Sequence, residues 1–241
     1  IKPQRLGVLP HGIDQGKFFP LDQDETRKKL GLPLDKFIVF NGNRNQPRKL
    51  VDQTIKAFAE FSVGKPDTIL YLNMGEKDLG WAVPELFETE MRRRGQDPTA
   101  RICLTQGINY MAAPPDEQLN LIYNAVDVGI NTANGEGWGL VPFEHAMCKK
   151  AQIVPDHTSC KDIWENAAPL IKIGAWITDK DLGVERGIVD FMHAAELLDK
   201  LYKDKEYRES VAKSCYEVTQ NPAYRWDKIA EGFEQAMEVV A

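Results

Sequence analysis

From Leu6 to about Pro169 the chain alternates short β-branched or apolar runs with stretches of helical period. That alternation is the pattern of a parallel sheet covered by helices on both faces, because parallel neighbours need a crossover between them. Strands are expected at Leu6 to Leu9, Phe37 to Phe40, Thr68 to Leu72, Ile102 to Thr105, Val126 to Ile130 and Ile153 to Val154, with one or two edge strands between Ile171 and Ile177. Between them, Val51, Ile55, Phe58 and Ala59 share one helical face, and Leu119, Ile122, Tyr123 and Val126 share another. Gly31 after Lys28-Lys29-Leu30, and Gly95 after Arg92-Arg93-Arg94, read as helix stops behind a cationic last turn. From Phe191 the pattern is polar-helical with a break at Asn221-Pro222, and the last helix lines up Trp226, Ile229, Phe233, Met237 and Val240.

With 241 residues the chain holds between one and two typical domains. No internal repeat divides it, so the expectation is a single Rossmann-like α/β domain over 1–241 with a helical C-terminal tail. The net charge of -6 argues against a nucleic-acid partner, since phosphate-backbone affinity needs clustered excess Lys and Arg. No apolar run is long enough to predict a membrane span. Cys103, Cys148, Cys160 and Cys215 lie far apart and read as reduced thiols, so a cytoplasmic location is expected. The opening Ile1-Lys2-Pro3 suggests a part of a larger protein.

In open α/β sheets ligands sit beyond the carboxyl ends of the strands, which directs the search to the strand-to-helix loops. After Phe37 to Phe40 comes Asn41-Gly42-Asn43-Arg44-Asn45-Gln46-Pro47-Arg48-Lys49. Three cations within six residues, facing a helix N-terminus, suit a diphosphate; the same residues also suit a solvated polar turn. After Val126 to Ile130 comes Asn134-Gly135-Glu136-Gly137-Trp138-Gly139-Leu140-Val141-Pro142-Phe143-Glu144. Its alternate glycines let the backbone approach a ligand closely. Leu140 stands where the dinucleotide fingerprint requires its third glycine, which weighs against a dehydrogenase. A carboxylate in such a loop fits ligand hydroxyls better than a bare phosphate.

Glu136 and Glu144 form an E-x7-E spacing, and Gly-Glu-Gly-Trp-Gly-Leu-Val-Pro-Phe-Glu resembles the signature of retaining glycosyltransferases of the GT-B fold, family 4. Other segments are similar to that family in the same order. They are Leu9-Pro10-His11-Gly12-Ile13-Asp14 with Phe19-Pro20, then Arg44 with Arg48-Lys49, then Leu119 to Val128, then Tyr224-Arg225-Trp226. Where the family has glycine and proline after the second glutamate's helix, this chain has Cys148-Lys149-Lys150-Ala151-Gln152, and its usual glycine pair is replaced by His157-Thr158-Ser159.

The resemblance implies a donor-binding domain for a nucleotide-diphosphate sugar, GDP-mannose before UDP-glucose and UDP-N-acetylglucosamine. Arg44 and Lys49 would neutralise the leaving diphosphate and Glu136 would hold sugar hydroxyls, these three being the catalytic candidates. Glu144 would take the ribose. Gly42, Asn43, Gly135, Gly137, Trp138, Gly139, Leu140 and Val141 would line the donor, with Asn109, Tyr110 and Met111 near the base. The family's chemistry implies no metal or other cofactor, retention of anomeric configuration, and a hydroxyl acceptor held by an N-terminal domain against which 222–241 would pack. The chain alone would then bind donor with little turnover. The alternatives are a non-catalytic nucleotide-sugar module and a nucleotide-sugar epimerase of similar fold. Asp22-Gln23-Asp24 and Asp179-Lys180-Asp181 fit the D-x-D metal pattern of the other glycosyltransferase fold, but Asp22 reads better as a helix cap. His11, His145, His157 and His193 have no zinc-ligand spacing. Trp81, Trp164 and Trp176 read as packing residues, while Trp138 suits either packing or a sugar platform.

Overall fold

The structure, a computed structural model, describes residues 7–76, 78–108 and 113–240, the last three of these by backbone only. Helix α1 (Gln23–Leu30) is capped by Asp22, whose carboxylate accepts from the Glu25 N–H at 2.9 Å, and stops at Gly31 with φ 67. Beyond it come strand β1 (Phe37–Asn41), helix α2 (Val51–Phe61), β2 (Thr68–Leu72), α3 (Val83–Arg93), β3 (Ile102–Leu104) and α4 (Asp116–Ala125). Then follow β4 (Val128–Ile130), α5 (Leu140–Met147), β5 (Ala151–Pro155), α6 (Thr158–Trp164) and β6 (Leu170–Ile171). Among the described residues these strands form one parallel sheet in the order β3-β2-β1-β4-β5-β6. The order reverses between β1 and β4, so a crevice opens there at the carboxyl edge.

The core bears out the periodicity: Val51, Ile55, Phe58 and Ala59 on α2 and Ile122 and Tyr123 on α4 are all buried against the sheet. The basic triplet is used up locally, Arg92 pairing with Glu88, Arg93 with Glu90, and Arg94 with Glu60 and Glu90. Asp22→Ala should therefore lower stability by about 1 kcal/mol through the lost α1 cap, read as a shifted urea midpoint at unchanged slope.

Three expectations need correction. The described part of the first expected strand, residues 7–9, is irregular; Val8 is 93% exposed and finds no strand to pair with. Among the described residues the segment is instead followed by an isolated bridge between Ile13 and Arg225, which lies between the Pro222–Tyr224 turn and the last helix. Where one or two edge strands were expected at Ile171 to Ile177, β6 joins the sheet, but β7 (Ile173–Thr178) leaves it and pairs antiparallel with β8 (Glu185–Val189) in a separate hairpin. Trp176 on that hairpin is 55% exposed, whereas Trp164 is fully buried. The chain closes with α7 (Phe191–Lys203), α8 (Lys205–Thr219) and, after a turn at Pro222–Tyr224, α9 (Trp226–Val240). On α9 only Ile229 of the described apolar stripe is buried; Trp226, Phe233 and Met237 face outward.

Candidate functional site

The loop after β1 and the glycine loop after β4 meet across the crevice. Lys49 donates to Glu136 Oε1 at 2.5 Å and to Asn43 Oδ1 at 3.0 Å, with the lysine and glutamate side chains 10% and 6% exposed. Arg48 reaches the other Glu136 oxygen at 3.3 Å. Asn43 Nδ2 donates to Asn131 Oδ1 at 3.1 Å, and Asn131, just past β4, turns its own amide toward Glu136 Oε1 at 3.4 Å. Beneath them Asn41 donates to Thr54, the Thr54 and Thr132 hydroxyls are 2.8 Å apart, and Thr132 donates back to the Leu50 carbonyl. This connected network fixes both loops, because each buried polar group that lost its partner would cost about 1–3 kcal/mol. Burial pushes the Lys49 ammonium below its usual value, opposed by the Glu136 charge beside it.

Gly139 adopts φ 90 at the start of α5, a conformation that glycine tolerates, and the turn brings the first N–H groups of that helix to the crevice. Gly42 has no room for a side chain, since a Cβ would stand 2.7 Å from the Phe40 ring. Gly135 is covered by Arg186 from the hairpin. Trp138 lies flat on Phe143, with ring centroids 5.5 Å apart, and edge-on to Tyr224 at 5.1 Å, so it packs into the wall and also lines the crevice. The packing reading of Trp138 is thus borne out.

Arg44 donates to Asp78 at 2.9 Å. It lines both of two neighbouring parts of the crevice. One part, about 510 Å³, is lined by His11, Arg48, Lys49, Glu136, Trp138 and Leu140 among others. The other, about 370 Å³, is lined by Asn73, Met74, Ile108, Leu119, Tyr123 and Glu144 among others. Gly42, Arg44 and Val141 belong to both. Glu144 accepts from the Tyr123 hydroxyl at 2.8 Å. Burial pushes its carboxyl up to about 7, with the Tyr123 hydrogen bond pulling the other way. Asn109, Tyr110 and Met111 lie outside the described residues. The alternation of charge is chemically suggestive: a cationic, helix-facing end fits a diphosphate, and a carboxylate held ready beside an apolar slot fits a diol on a planar base.

The chain matches the family of glycosyl transferases group 1 over residues 22–218. It belongs to that family. A D-inositol 3-phosphate glycosyltransferase of Segniliparus rotundus is 33% identical over 147 residues, which are 61% of this chain and 30% of that protein. One from Rhodococcus erythropolis is 29% identical over 157 residues, 64% of this chain and 34% of that protein. The chain thus spans about a third of the length of the curated relatives it matches. Among solved structures, sucrose-phosphate synthase from Thermosynechococcus elongatus aligns with a TM-score of 0.73 at 20% identity, over 97% of this chain and 52% of that one. Anabaena HepE, solved with UDP and glucose, aligns with a TM-score of 0.73 at 18% identity, over 97% of this chain and 57% of that one. Both likenesses establish the GT-B type of fold.

Sequence reasoning placed Lys49, Glu136 and Glu144 in the crevice but missed Asn131, Asn73, Asp78 and the link from Tyr123 to Glu144. Asn73 and Asn131 each stand directly beyond the carboxyl end of a strand, a position that could have singled them out. Neither D-x-D stretch holds a metal constellation: Asp22 caps α1, and Asp179 accepts N–H groups of its own hairpin turn. Among the described residues no group of three or more His, Cys, Asp or Glu is placed to hold a metal ion. No described helix is long and apolar enough to cross a membrane.

Proposed function

We propose that this chain is the donor-binding part of a hexosyltransferase, with a nucleoside diphosphate sugar lying along the cleft from Glu144 to Glu136. The observation that carries this reading is a pair of pockets at the switch point that share Gly42, Arg44 and Val141, with Lys49 and Arg48 lining one and Glu144 the other. Lys49, Arg48 and Arg44 neutralise the leaving diphosphate, and the N–H groups opening α5 add to that field. Glu136, already between two cations, takes sugar hydroxyls; Glu144 takes the ribose. The groove supplies electrostatic stabilisation of the leaving group and positioning of the sugar; transfer with retention and without a metal is the reading that the family resemblance supports. The exposed Trp226, Phe233 and Met237 of α9 suit contact with an N-terminal acceptor domain, in line with the share of the solved relatives that this chain covers.

GDP-mannose is the proposed donor. UDP-glucose is the second reading, favoured by the HepE structure with UDP and glucose. Titration calorimetry with GDP and UDP separates them, GDP being expected to bind at least tenfold tighter. A preference for UDP would shift the proposal to the second donor, and binding of neither would end it. Anomeric analysis of the product from the full-length enzyme checks retention, and recovery of an epimerised nucleotide sugar would point to the epimerase alternative instead.

A further inference from the structure

Asn73 lies immediately beyond β2, where its N–H donates to the Asn41 carbonyl at 3.1 Å and so locks the strand end beside β1. Its side chain is treated very differently. The residue is 9% exposed and lines the smaller pocket, and its Oδ1 is buried without a hydrogen-bond partner among the described residues. The asparagines of the loop after β1 are engaged, Asn41 with Thr54, Asn43 with Lys49 and Asn131, Asn45 with the Gly75 and Trp81 carbonyls. An orphaned buried carbonyl is a stability cost of roughly 1–3 kcal/mol, and on the border of a cleft a ligand donor can complete the pairing.

The surroundings define the ligand group. Met74, Ile108, Pro114 and Leu119 give this part of the cleft apolar walls, and the phosphate-binding cations Lys49 and Arg48 stand in the other part. A slot with apolar faces and a carboxamide on its border matches a planar heterocycle whose edge sets an N–H beside an acceptor. An asparagine side chain offers the complementary acceptor and donor side by side. We propose that Asn73 contacts the nucleobase edge of the donor and sets its base preference. This deepens the proposed function and rests on it.

The test is titration calorimetry of the wild-type chain and of Asn73→Ala with GDP, UDP and ADP, together with thermal melting of both proteins without ligand. The variant should lose at least tenfold affinity for whichever base the wild type prefers and much less for the others, so that the three affinities converge. Because Oδ1 has no partner to lose, the ligand-free melting temperature should stay level or rise. An equal loss for all three bases would assign Asn73 to the shared ribose diphosphate and overturn the base contact, as would unchanged affinities or a lowered ligand-free melting temperature. A wild type that binds none of the three would overturn the proposed function itself, whereas a wild type that binds with an unaffected variant would overturn only the role of Asn73.

Discussion

Lys49→Met is expected to weaken nucleoside diphosphate binding about ten- to a hundredfold while leaving the affinity for the parent nucleoside unchanged. The ammonium is buried and held by Asn43 and Glu136, so a diphosphate would meet a donor already oriented at little entropic cost. Losing one charge-assisted hydrogen bond to a dianion is worth roughly 1.5–3 kcal/mol, which sets that range. The substitution also leaves Glu136 short of one counter-charge. Arg48 and Asn131 remain on it, so the loss of stability should fall well below the roughly 3–5 kcal/mol of a buried ion pair left wholly uncompensated. Combining Lys49→Met with Glu136→Gln should restore most of that stability without restoring affinity. Calorimetry and melting of the two variants check both statements, and equal losses for nucleoside and diphosphate would reassign Lys49 to holding the fold.

The extent to which the site was legible follows from the kind of interaction that builds it. Glycines and charged residues beyond a strand announce themselves locally, and so the two loops carrying Lys49 and Glu136 could be singled out from their spacing alone. What joins them is a run of neutral side chains, Asn43 to Asn131 and Thr54 to Thr132, whose partners are 88 and 78 residues away. Asparagine and threonine are common in any turn, so the sequence signals only local structure there. The fold behaves similarly. Helices with a buried stripe were legible because one face of α2 or α4 meets the core, whereas the fate of residues 7–9 and of Ile173 to Thr178 depended on which edge was free to pair. Propensity makes such runs extended without choosing a neighbour. The hairpin therefore went unforeseen, as did Arg186, which it lays over Gly135.

Glu144→Gln provides the other large effect, because it removes a carboxylate whose charge depends on pH in the working range. In the folded protein burial raises this carboxyl from 4.5 to about 7, so the folded state holds the proton more tightly than the unfolded chain does. Ligand-free stability from this group is therefore fully present below about pH 4, falls as pH rises through 7, and levels off above that; the glutamine variant should lack this decline. Binding should run the opposite way. Ribose 2′- and 3′-hydroxyls donate best to the ionised carboxylate, so affinity for a ribonucleoside diphosphate should climb with pH through about 7 in the wild type. Glutamine keeps the size but turns one acceptor into a donor, which should cost a few kcal/mol for the ribonucleotide, roughly one to two orders of magnitude in affinity. A 2′,3′-dideoxy diphosphate carries the same phosphates without those hydroxyls, so any ionisation of the ligand itself appears equally in both titrations. It should bind the wild type weakly, show no climb attributable to Glu144, and hardly notice the substitution. The difference between the two ligands, followed across pH in both proteins, isolates the ribose contact from damage to α5. Equal weakening of ribose and dideoxy ligands would remove Glu144 from the ribose and leave its hydrogen bond with Tyr123 as a device for holding α5 against α4.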